Sequence, residues 1–467
     1  MNPNSSEENQ SFSLTKFESM LKTNNIFFFD SIEFENIIHH YLEIGKIPLA
    51  KKAIKLGLDQ HPSSINLKLF YVEILIFENK LSQAEKLLNN LFRLEPNNEE
   101  LFIQKANIYS KRDNHVEAIR IFGEALKLSE ESSELHSLIG MEYLFLDNYT
   151  KAKFHFMKCI ELDLEDYSSL YNIIYCFDFL GENKEAIQYL TWYLDQNPYC
   201  EVAWHQLGKL YVDNSELEKA LTAYEFAIIS DDTFIGAYLE KAKVLEKLGR
   251  FIESIEQYEI SIAIEGGSAI TFLKIGCCYD KLNKNDKALK YFFKSVKEDP
   301  ALDKAWIEIS KFYFKKKDNL KALFYVNKAI NIDEQNPQFW LYYSRINKSL
   351  NYYNEAKKGL KRAIEFGDNR AETFIEIADI LIHLKQYETA KFNLIEALKI
   401  YPENEEIEFR ICGVFFKLNN SQKGFLHLLK ALHKNHENIF ILEELFPEIY
   451  NDKKIINFIN NYKKSSK

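Results

Sequence analysis

Few residues in this chain have types and spacings that could do chemistry. His39-His40 and Cys277-Cys278 are adjacent pairs. Neighbours on a helix point in different directions, so neither pair can close on one metal ion by itself. His427, His433 and His436 fall close together, but their spacing matches no usual zinc pattern, and a structural or surface role is expected for them. Carboxylates are abundant and spread along solvated faces, with no glycine-rich phosphate loop, no G-x-S-x-G elbow and no H-E-x-x-H among them. Cys159, Cys176, Cys200, Cys277, Cys278 and Cys412 show no C-x-x-C spacing and read as reduced thiols filling a core. No catalytic residue, metal or cofactor is assigned, and an enzyme is not expected.

The elements that carry these residues are announced by composition. Gly 15 and Pro 9 among 467 residues are too few for a barrel, a sandwich or a dinucleotide-binding sheet, all of which spend many such residues on turns. A mostly helical chain is left. The hydrophobic fraction of 46% and charged fraction of 27% suit a folded protein. The net charge of -10 argues against a nucleic-acid partner or an anionic membrane surface unless charge is strongly segregated. No stretch approaches the length of a membrane span, and the N-terminal segment has no basic leader or apolar run, so a cytoplasmic protein is expected.

One period of 34 residues organises most of the chain. Counting from Ser31, repeats start at 31, 65, 99, 133, 167, 201, 235, 269, 303, 337, 371 and 405 without insertion or deletion. Position 20 is always small, from Ala50 through Ser254 to Gly424, and position 8 is mostly small, as at Ala106, Gly140, Gly208 and Gly276. Small residues at two fixed points between apolar residues at helical spacing predict two antiparallel helices per repeat that touch closely there. Pro62, Pro96, Pro198, Pro300 and Pro402 share position 32, where a ring ends the second helix.

This pattern resembles the tetratricopeptide repeat. The sixth repeat shows it in Trp204, Leu207, Gly208, Tyr211, Ala220, Tyr224 and Ala227, with Asp232 where proline is usual. The eighth and ninth add Phe272, Ile275, Gly276, Tyr279, Ala288, Phe292 and Pro300, then Trp306, Tyr313, Ala322 and Ala329. The resemblance, closest to a bacterial scaffold protein of twelve such repeats, implies an all-α, right-handed superhelical solenoid. It also implies a noncatalytic scaffold that holds a partner's peptide or helix in a concave groove lined by the first helices.

In that family's geometry positions 2, 5, 9, 12 and 13 face the groove. Positions 9 and 13 of the sixth to tenth repeats include Lys209, Lys243, Lys247, Lys281, Lys311, Lys315 and Arg345, a cationic stripe. In the first to fifth repeats the same sites include Phe77, Met141, Phe145, Tyr175 and Phe179. Tyr171, Asn172, Tyr175, His205 and Lys209 would meet where the two stretches join. The matching partner is a protein segment with apolar anchors and an acidic portion, with no nucleic acid and no membrane insertion. The same residues have a plainer reading, in which Lys at position 13 complements a helix C-terminus and Phe77, Phe145 and Phe179 belong to the core. Glu240, Glu308 and Glu376 at position 6 would dilute the stripe. No three successive repeats carry the Lys, Asn and Arg set of a carboxylate clamp.

Residues 1–30 are expected to be a tail, without structure to about residue 11, then a capping helix over Phe12–Leu21, with Ile26 to Phe29 set on the first repeat. Residues 439–467 are expected as capping helices at the other end, using Ile439, Leu442, Leu445 and Phe446. Two other functions stay open: a sensor whose curvature changes on peptide binding, and an accessory subunit or unrecognised hydrolase.

Overall fold

A computed structural model describes residues 4–23, 27–129 and 132–465, and side chains over 13–23, 27–129 and 132–462. The described residues are helices joined by short turns, with no strand among them. A helix begins at Ser31, Ile65, Glu99, Ser133, Tyr167, Glu201, Ile235, Ala269, Asp303, Pro337, Ala371 and Glu405, and a second helix follows each. The fold is an all-α array of antiparallel helix pairs, in two compact units, Met1–Ala237 and Tyr238–Lys467. No helix of the described residues is long and apolar enough to cross a membrane.

Two turns recur. Inside each pair, position 15 has a positive φ at every repeat: Gly45, Gly181 and Gly249 at 69°, 68° and 74°, but also Asn79, Asp113, Asp147, Ser215, Asn283, Lys317, Asn351, Lys385 and Asn419 between 52° and 63°. The left-handed residue lets the following amide reach back over the helix end, as where Arg250 N–H donates to Leu245 O at 2.9 Å and Gln386 N–H to Leu381 O at 2.9 Å. Between pairs, the five prolines at position 32 sit in the turn after the second helix. Side chains at position 34 then cap the next first helix, as Ser64, Asn98, Ser132, Asp166 and Asn404 do by accepting from backbone amides.

Pair packing is a matter of volume at positions 8 and 24. A Cβ on Gly140 would lie 2.8 Å from the Phe156 ring, on Gly208 2.5 Å from Tyr224, and on Gly276 2.5 Å from Phe292. Each glycine is the space its partner ring fills. Where position 24 is Val326, Leu360, Leu394 or Leu428, position 8 grows to Ser310, Ser344, Ala378 or Cys412. Ser310 Oγ also donates to Ala322 O at 2.7 Å, so the added hydroxyl is satisfied. Trp204, Trp306 and Trp340 tie the first helix to the turn before it, their indole N–H groups donating to Pro198 O, Pro300 O and Glu334 O at 2.7–2.9 Å.

The N-terminal helix runs Asn4–Thr23, so it starts before the expected Phe12. Residues 4–11, expected to lack structure, are helical in backbone; residues 1–3 and the Ile26 contact lie outside the described residues. Phe17 and Met20 bury against Phe29, Phe34 and Tyr41. In the other unit Leu442 and Phe446 are buried, with Phe446 laid over Gly413, and a last helix runs Lys453–Ser465.

Candidate functional site

Positions 2, 5, 6 and 9 of the first helices, one or two turns apart, line the clefts of the array. In the C-terminal unit a cleft of about 750 Å³ spans the ninth to eleventh repeats. Its floor is Ile307, Phe339, Leu341 and Tyr342, and its polar wall holds Lys311, Arg345, Arg370, Glu372 and Glu376. The Arg345 guanidinium lies 5.9 Å from the Tyr342 ring centroid, and burial pushes the Tyr342 hydroxyl up to about 12. Arg370 donates to the buried Asp368 at 2.7 Å. Asp368 also accepts from Thr373, and these bonds outweigh burial and hold its carboxyl below the usual range.

The cationic stripe is thinner than its sequence. Lys243 pairs with Glu240 and Lys311 with Glu308, both at 2.6 Å, and Lys315 reaches Asp280 at 3.3 Å. Pairs this exposed are worth only roughly 0.2–1 kcal/mol each in stability, but the carboxylate beside each lysine offsets that lysine's outward charge. Lys247 and Lys281 make no ion pair among the described residues, and together with Arg345 they are the unpaired cations of the stripe in this unit. Arg370 and Glu372 belong to the cleft but were not singled out from the sequence, because only positions 9 and 13 were compared repeat by repeat, whereas Arg370 stands at position 34 of the tenth repeat and Glu372 at position 2 of the eleventh.

In the N-terminal unit Phe77, Met141, Tyr171 and Tyr175 are exposed, at 69%, 38%, 45% and 46%. Phe145 and Phe179 are exposed as well, which corrects the reading that placed Phe77, Phe145 and Phe179 in the core. Position 13 lies at the last turn of the first helix, and its ring lies against position 17 of the preceding repeat: Phe145 stacks on His115 with centroids 5.0 Å apart, and Phe179 on Tyr149 at 4.7 Å. Tyr175 joins Phe179 at 4.6 Å. Asn172 Nδ2 lies 4.0 Å from Met141 Sδ. Lys209 is exposed, whereas His205 is half-buried: its two ring nitrogens are buried, and the ring packs on Tyr224 and Phe234.

A second cleft in this unit, about 530 Å³, was not foreseen. Glu35, Glu73, Glu100 and Glu134 line it beside Leu69 and Ile103. The signal was in the sequence at positions 2, 5 and 9 of the first four repeats, where the carboxylates stand.

The remaining polar groups serve structure. His427 Nδ1 lies 2.5 Å from the buried Glu408 carboxylate, while the His433 ring lies 6.3 Å from Tyr462. Among the described residues no three His, Cys, Asp or Glu side chains gather as a metal site would need. All six cysteines are free, and burial holds each thiol above its ordinary value, Cys277 at about 12, so none is a ready thiolate.

The profile described as Tetratricopeptide repeat matches residues 133–166, 269–302, 303–336 and 371–404, in phase with the helix pairs and in both units. Anaphase-promoting complex subunit 3 of Schizosaccharomyces pombe is 23% identical over 252 residues, 54% of this chain and 38% of that protein. BBSome complex member BBS4 of Bos taurus is 24% identical over 255 residues, 54% of this chain and 49% of that protein. The chain thus spans less than half the length of either relative. Among solved structures, the APC/C hetero-tetramer Cut9-Hcn1 is similar at 16% identity and a TM-score of 0.37, over 87% of this chain and 93% of that one. On the repeat matches and the helix pairs in phase with them, the chain carries tetratricopeptide repeats in both units.

Proposed function

We propose that this chain is a noncatalytic scaffold that holds a segment of a partner protein against its first helices, and that in the C-terminal unit the segment carries apolar anchors and acidic side chains. All twelve helix pairs are read as repeats of one array. The observation that carries the proposal is the cleft over the ninth to eleventh repeats, with an apolar floor of Ile307, Phe339 and Leu341 and the open cation Arg345 on its wall. Apolar area would supply affinity, and Arg345, with Lys247 and Lys281 elsewhere in the unit, would select and steer acidic residues. The relatives' names place them in multisubunit assemblies, an anaphase-promoting complex and a BBSome, which supports an assembly role. Retention in the cytoplasm is part of this reading.

The test is fluorescence anisotropy with two labelled probe peptides of equal length, one alternating Leu with Glu and one alternating Leu with Ser. The Leu/Glu probe is expected to bind more tightly, and Arg345→Glu to weaken it at least about tenfold. Lys247→Glu with Lys281→Glu is expected to slow association and reduce its salt dependence. Equal binding of the two probes, with no effect of Arg345→Glu, would refute this partner chemistry.

A further inference from the structure

The N-terminal cleft differs in kind from the one just described. Its walls bring four carboxylates, Glu35, Glu73, Glu100 and Glu134, to one concavity from four successive repeats, and no lysine or arginine lines it. Asn66 Nδ2 donates to Glu35 at 3.2 Å, and His39, edge-on to Phe70 at 4.8 Å, is the one lining group able to take positive charge. The Glu73 carboxyl is raised above its usual value, first by desolvation against the concave wall and then by Glu100, with His39 pulling the other way. Glu73 and Glu100 thus repel each other, and a cation placed between them would relieve it.

A second feature points to the same ligand. Gln104 lines the cleft and is 7% exposed. Its Nε2 donates to Glu100 Oε1 at 2.7 Å, which fixes the amide orientation, and its Oε1 is buried without a hydrogen-bond partner. Buried acceptors are seldom left unmet. The cleft therefore gathers four carboxylates beside Leu69 and Ile103, with the unmet amide oxygen of Gln104 just beneath its surface and the Asn66 and Asn107 amides among its other polar lining.

We infer that this cleft binds a partner-protein segment presenting arginine or lysine side chains between apolar residues. The inference rests on the reading of the first-helix face as a peptide-binding groove and adds the sign of the ligand's charge in this unit, opposite to that proposed for the C-terminal unit. Guanidinium or ammonium donors would satisfy the carboxylates by charge-assisted hydrogen bonds, and a turn of the Gln104 side chain would bring its unmet oxygen to the same donors, while the aliphatic walls take the apolar residues.

The experiment uses the full chain and a labelled probe peptide alternating Leu with Arg, carrying one photoreactive benzoyl-phenylalanine. Its Leu/Glu counterpart is the comparison. The Leu/Arg probe is expected to cross-link to the Leu69 and Ile103 wall, and Glu73→Gln with Glu100→Gln to weaken it about tenfold or more. Glu35→Gln with Glu134→Gln is a second variant that leaves the Glu100–Gln104 bond intact, and it is expected to weaken binding similarly. Neutralising the exposed Glu403 and Glu443 makes the net charge less negative by as much and is expected to leave binding unchanged. If all three double variants weaken binding equally, the attraction is net charge alone and the inference falls. If the Leu/Glu probe cross-links to the same wall as strongly, the groove reading stands and the charge assignment fails. If neither probe cross-links to either cleft, the groove reading itself fails.

Discussion

Lys317 and Gly249 occupy the same place in their repeats and nearly the same backbone conformation, φ 62° and 74°, yet one carries a side chain and the other does not. Exchanging the two residue types isolates the energetic demand of that turn. An L-residue in the left-handed region costs roughly 1–2 kcal/mol, while glycine's greater freedom in the unfolded chain returns roughly 0.5–1 kcal/mol of that gain. Lys317 is exposed and makes no ion pair among the described residues, so nothing else is lost on removing it. Lys317→Gly is therefore expected to stabilise its repeat by about 0.5–1 kcal/mol. A Cβ on Gly249 would meet no atom within 4 Å, so Gly249→Ala should cost about the same through the backbone alone. A long array need not unfold in two states, so the assay is native-state hydrogen exchange on the helices Asp303–Lys315 and Asn319–Ile332. The upper end of the stabilisation corresponds to about fivefold slower exchange there. Ser215→Gly and Lys385→Gly should act alike and add to it, being far apart in the chain. Faster exchange in Lys317→Gly would show that the turn does not set the conformation, and the reasoning would fail.

Two further outcomes follow from the same structure. Gly208→Ala places a Cβ 2.5 Å from the Tyr224 ring and should destabilise by about 1–3 kcal/mol; adding Tyr224→Leu should restore most of it, reproducing the Ala378 and Leu394 pairing, as a double-mutant cycle on urea midpoints would show. His155 is pushed down to about 4 by burial, then by His136 and Lys151, and its Nδ1 lies 3.0 Å from His136 Nδ1, a bond that needs one ring nitrogen unprotonated. Because the folded value lies below the ordinary 6.5, the unfolded chain binds more protons between them, so stability should fall as pH drops from 6.5 towards 4 and level off below. His155→Phe should flatten that part of a thermal-melt series.

The repeat was legible because one small side chain and one proline at a fixed phase report two helix contacts and one turn, all local to 34 residues. The pairing of position 8 with position 24 was not read from the sequence, although both positions stand in it, because complementarity of volume shows only when the two helices are laid together. The left-handed turn was legible only in part. Glycine marks it in three repeats, whereas Lys317, Lys385 and Ser215 adopt it under the pull of the amide that must reach back over the helix end. The site was read less well. Phe77, Phe145 and Phe179 stood open between core and groove on pattern, since an aromatic at a helix end suits either until its neighbour in the preceding repeat is known.

By itself the sequence determined the helix pairs, their phase and the kind of repeat, since these depend on contacts within a repeat or between adjacent ones. Only the tertiary structure decided charge in the clefts. Glu240 and Glu308 cancel two of the stripe's lysines through bonds that depend on rotamer and exposure, and Glu35, Glu73, Glu100 and Glu134 become neighbours only when four repeats are stacked. Electrostatic fields add over distance in space, and a repeat of 34 residues places far apart in sequence what stacking brings to one wall.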